Sequence, residues 1–168
     1  MKKPTALPAG LNWTSMALVE FDYKRPLNEL SAAQGRVWPE WQEEIKSAWR
    51  QKQFSDVLYA NVSTVSFSIY STMGACITPA NGAGAFDAYS LCPARAKVIL
   101  QSPQGGTKWV AMHGFQDVCF YIQANNPDAP LEQNHTEFAY DVATRTAYVR
   151  VIQYGKVVPA CNRSIQFD

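Results

Sequence analysis

The chain has no long apolar run, little charge and few histidines, and each shortage removes a class of function. No stretch approaches the roughly 18 consecutive apolar residues of a membrane-spanning helix, so no transmembrane segment is expected. The formal net charge is +1, with 15 basic against 14 acidic residues. Basic pairs such as Lys2-Lys3 and Lys24-Arg25 stand alone, which gives no electrostatic case for nucleic acid. G-x-S-x-G, a phosphate loop, H-E-x-x-H and the dinucleotide fingerprint are all missing. The two histidines and four cysteines show no C-x-x-C or zinc spacing, so neither a metal nor a cofactor is expected.

What is present describes a packed domain. The 168 residues are enough for one domain with a sizeable core, and the 47% hydrophobic content rules against disorder. The even set Cys76, Cys92, Cys119 and Cys161 reads as a disulfide framework, paired Cys76–Cys92 and Cys119–Cys161. This places the protein in the periplasm or outside the cell, with a signal peptide already removed; four reduced thiols in the cytoplasm are the alternative. The sequons at Asn12, Asn61, Asn134 and Asn162 are read as incidental turn composition. Gly10-Leu11-Asn12-Trp13-Thr14 resembles the start of some bacterial immunity lipoproteins, and five residues are too few to assign a family.

Along the chain, residues 1–11 form an extended lead-in and a first strand follows over 13–23. Pro26 to Gln34 reads as a short helix broken at Gly35. A stronger helix begins with Pro39 at its first position, with Trp41, Ile45, Ala48 and Trp49 as one apolar stripe. Residues 61–71 give the cleanest alternation, with Val65, Phe67 and Ile69 on one face and Thr64, Ser66 and Ser68 facing water. Residues 72–95 are rich in Gly, Ala and Pro without a period and read as a long loop. Hairpin strands 97–101 and 108–113, a strand over 115–123, and a meander over 136–166 complete the chain. In that meander Ala147, Val149 and Val151 face the core and Tyr148, Arg150 and Tyr154 face outward. The expected fold is therefore α+β, a single domain over 1–168 with a mostly antiparallel sheet and one amphipathic helix on a face.

Function is read mainly from the loop and the outward face. Phe86, Asp87 and Tyr89 lie between Cys76 and Cys92, and with Tyr148, Arg150 and Tyr154 they are the candidate binding residues for another protein. The expectation is an extracytoplasmic protein-binding module of inhibitor or immunity type. The alternative is a small hydrolase in which His113 works with Asp117 or Cys119, which requires the strand to bend at Gly114. His135 beside Glu132 and Glu137 reads as a solvated loop end. The sequence sets no oligomeric state.

Overall fold

The computed structural model describes residues 6–77, 90–101, 108–120 and 135–167, with backbone alone over 99–101 and 108–113. The fold is α+β: among the described residues there are one α-helix and ten strands, the strands in two antiparallel sheets. One sheet holds β2 (Ala17–Phe21), β3 (Ser55–Val62), β4 (Val65–Thr72), β5 (Ser90–Gln101) and β6 (Lys108–Phe120), in that order. The other has the order β1 (Thr14–Ser15), β7 (His135–Asp141), β8 (Thr146–Gln153), β10 (Arg163–Gln166), and β9 (Lys156–Val157) also pairs with β8. No helix among the described residues is long and apolar enough to cross a membrane.

The two sheets pack face to face. Leu58, Ala60, Val65, Phe67, Ile69, Ala94, Ala96 and Val98 from the first sheet meet Phe138, Ala147, Val149 and Ile165 from the second. Phe67 and Phe138 stack at its centre, 5.1 Å apart and 8° from parallel. The single strand expected over 13–23 is divided between the sheets at Met16, a buried corner residue whose amide donates to the Thr136 carbonyl at 2.8 Å. One short stretch thereby ties both layers together, as corner strands do in sandwiches.

The helix α1 (Ala32–Arg50) covers the opposite face of the first sheet. It starts earlier than its proline suggests. Ser31 caps it, accepting from the Gln34 amide at 3.1 Å, while the Gln34 side chain accepts from the Ser31 amide at 2.9 Å. That reciprocal box satisfies two amides left over at a helix start. Pro39 therefore sits inside the helix; it lacks an N–H and crowds the preceding turn, and the chain leaves helical geometry at Trp41 (φ −128°, ψ 15°). The Arg95 guanidinium donates to the Glu40 carbonyl beside this kink and to the Glu44 carboxylate.

Of the expected stripe, Trp41, Ile45 and Ala48 are buried and Trp49 is not, with 38% of its surface exposed. Trp49 follows Ala48 by one residue, about 100° around the helix, and its indole N–H donates to the Arg25 carbonyl at 2.9 Å. On the polar side of β4, Thr64 is exposed in the preceding turn and Ser66 is half-buried, but the stretch around Ser68 does not face water. The helix lies on it, and the buried Ser68 hydroxyl accepts from the Trp41 indole at 2.7 Å. Small hydroxyls let the helix approach and supply acceptors that an aliphatic face lacks.

Three further boundaries differ from the sequence reading. Asn61 and Val62 end β3, and a two-residue turn at Ser63-Thr64 separates them from β4. Residues 90–95 belong to strand β5 and not to the loop. The strands expected over 108–113 and 115–123 are one strand, β6, with an irregular register opposite Pro93, which has no amide to give the ladder.

Both expected disulfides are present. Cys76–Cys92 closes the turn after β4 onto β5, and Cys119–Cys161 joins β6 of one sheet to the short 3-10 turn Pro159–Cys161 leading into β10 of the other.

Candidate functional site

Phe86, Asp87 and Tyr89 lie outside the described residues. Tyr148 and Arg150 stand together on the outer face of the second sheet, half-buried, while Tyr154 is exposed in the turn after β8. Arg150 is already engaged: its Nε–H donates to Glu137 Oε1 at 2.7 Å and its guanidinium lies 4.0 Å from the centre of the Trp13 ring. The other Glu137 oxygen, Oε2, is 2.8 Å from His135 Nε2. His135 is thus part of a sheet-face network. Burial works against the charged Glu137 carboxylate, but the hydrogen bonds from His135 and Arg150 outweigh it and hold the pKa below the ordinary carboxylate value.

His113, Asp117 and Cys119 are not gathered into one site by their strand. Gly114 keeps its place in the ladder opposite Arg95, so β6 does not fold back there. At about 3.3 Å per residue, His113 and Cys119 stand roughly 20 Å apart along the backbone. The Cys119 sulfur is bonded to Cys161 and offers no thiolate while that bond stands.

A different site emerges where β2 ends, β3 begins and β4 ends. Phe54 is 53% exposed, Met73 79% and Ile77 64%, and Met73 and Ile77 flank Cys76 of the first disulfide. Phe54 meets Tyr23 edge-on at 4.9 Å, with the Lys24 ammonium 5.8 Å from each ring centre. Phe54 and Asp56 line two concavities at once. One, about 610 Å³, runs towards Met73 and Cys76; the other, about 670 Å³, runs towards Leu27, Leu30 and the helix start.

The β2–β3 register sets Glu20 directly opposite Asp56. Cross-strand partners lie about 5 Å apart at Cβ, where like charges repel. Burial, and secondarily the Glu20 charge, push the Asp56 pKa up to about 6. The raised value means that the folded chain disfavours ionised Asp56. The group's contribution to folding is full below the ordinary carboxylate range and is lost as pH rises through about 6. Asp56→Asn should therefore gain about 1 to 2 kcal/mol over the natural chain at pH 7.5 and almost nothing at pH 4, after discounting the full shift for solvent screening. Urea unfolding of both proteins at the two pH values checks this; an equal difference at both would exclude the ionisation of Asp56 as its source.

None of Phe54, Met73, Glu20 and Asp56 is a candidate from sequence. Glu20 and Asp56 are brought together by strand register alone, and Phe54 stands in a stretch without a clear period. No family model, curated protein or solved structure matches this chain.

Proposed function

We propose that this protein is an extracytoplasmic protein-binding module of inhibitor or immunity type, and that it binds through the end of the sandwich bearing Phe54, Met73 and Ile77. The observation that carries the reading is the exposure of those three large apolar side chains around a disulfide-stapled turn. Large apolar groups on a rigid frame lose little entropy on docking and supply the anchors that dominate interfaces. Two disulfides are compatible with an oxidising compartment. The outer face of the second sheet is less suited, because its arginine is already paired and stacked.

A photoreactive side chain installed at Met73 should capture the partner from the compartment in which the protein resides. The double variant Phe54→Ala, Met73→Ala should then bind that partner at least about tenfold more weakly, a loss of about 1.4 kcal/mol, with an unchanged melting temperature. Unchanged affinity in a folded double variant would move binding elsewhere.

A further inference from the structure

We propose that the 670 Å³ groove beside Phe54 receives a lysine or arginine side chain of the bound protein. This rests on reading that end of the sandwich as the binding surface. Glu20, Asp22, Glu29 and Asp56 line the groove against a single base, Arg25. Among the described residues none of the four carboxylates is in an ion pair. Among the described residues the one hydrogen bond to these carboxylates is local, from the Lys24 amide to Asp22 Oδ1 at 2.8 Å. Glu20 and Asp56 oppose each other across the ladder, and among the described residues no cation pairs with either, an arrangement that costs stability in the free protein and that an incoming cation relieves.

The lining suits a side chain with an apolar stem and a charged head. No cluster of three or more acidic, histidine or cysteine side chains among the described residues is placed to hold a metal. Phe54 and Leu27 give the groove apolar walls, against which the methylene stem of a lysine or arginine packs while its charged head reaches the carboxylates. Phe54 already tolerates a cation nearby, since Lys24 lies over it. Binding should strengthen as pH rises through about 6, because the cation favours ionised Asp56. Glu20 from β2 is the charged group acting on Asp56; the others that face the two concavities or Phe54 are Asp22, Lys24, Arg25 and Glu29 from the connection to the helix, and Lys52.

The test is a backbone-amide NMR titration of the whole chain with the capped tripeptide Leu-Arg-Leu and its neutral citrulline analogue. The arginine peptide should shift the amides of Glu20, Phe54 and Asp56 saturably, bind at least about tenfold more tightly than the citrulline peptide, and lose that advantage in the variant Glu20→Gln, Asp56→Asn. That variant removes a repulsion and keeps side-chain size, so it should stay folded. Equal binding of the two peptides, shifts centred elsewhere, or none up to about 10 mM would overturn the inference. So would reproduction of the same shifts by calcium alone. With the captured partner, full affinity of Glu20→Gln, Asp56→Asn alongside weakened Phe54→Ala, Met73→Ala would remove the basic residue and leave the binding surface. Full affinity of both variants would remove the binding surface as well.

Discussion

Trp41→Ala is expected to destabilise the protein by about 3 to 5 kcal/mol, the usual cost of emptying a large aromatic site in a core. Trp41 is 1% exposed, stacks on Tyr70 at 5.1 Å and 15°, donates its indole N–H to Ser68 and carries the Arg95 guanidinium 4.1 Å above its ring. Removing it opens a cavity, leaves a buried serine without its donor and strips one face from a half-buried cation; the three losses act in the same direction. Trp49→Ala provides the contrast. Its ring is 38% exposed and holds one hydrogen bond to Arg25, so the expected cost is only about 1 to 2 kcal/mol. Urea unfolding of both variants measures the difference, and equal costs would mean that the helix presents a different face to the sheet.

Loss of the Cys119–Cys161 bond is the second large effect, at about 4 kcal/mol for Cys119→Ser with Cys161→Ser. The bond closes 42 residues of chain, against 16 for Cys76–Cys92, whose loss should cost about 3 kcal/mol. It also joins the two sheets, so its removal should show first as faster amide exchange in β10 and in the end of β6. Unfolding of each double variant tests the order. A Cys119–Cys161 variant as stable as the natural chain would show that the Phe67–Phe138 core alone holds the layers together.

The parts legible in the sequence are those buried on one side. Val65, Phe67 and Ile69 alternate with serines, and Ala147, Val149 and Val151 with Tyr148 and Arg150, so period two is plain and the antiparallel α+β fold follows. Strand β3 is not legible because it is covered on both faces: Val57 faces the helix and the adjacent Leu58 faces the second sheet, which erases the alternation. The opening of β5 reads as loop for a related reason, since Leu91 and Cys92 are buried in succession and Pro93 follows at a bulge. At the helix, Gly35 and Pro39 suggested boundaries that the Ser31–Gln34 box overrides. Its end carries no glycine: Lys52 takes the left-handed position (φ 56°), with its amide bonded to Trp49 and that of Gln53 to Ala48. Cysteine pairing is legible because Cys76 and Cys92 sit within the aperiodic stretch and can staple its base, while Cys119 and Cys161 lie on or beside strands that can be neighbours. The groove is not, because Glu20 and Asp56 are 36 positions apart and only pairing of β2 with β3 makes them neighbours.

The most direct measurement of the binding surface is the amide-exchange footprint of the complex formed with the partner captured at Met73. Protection of residues 20–31, 54–56 and 71–77 is the predicted result, with 146–153 exchanging as in the free protein. Protection of 146–153 with no change around Phe54 and Met73 would contradict the account and assign recognition to the face of Tyr148 and Arg150.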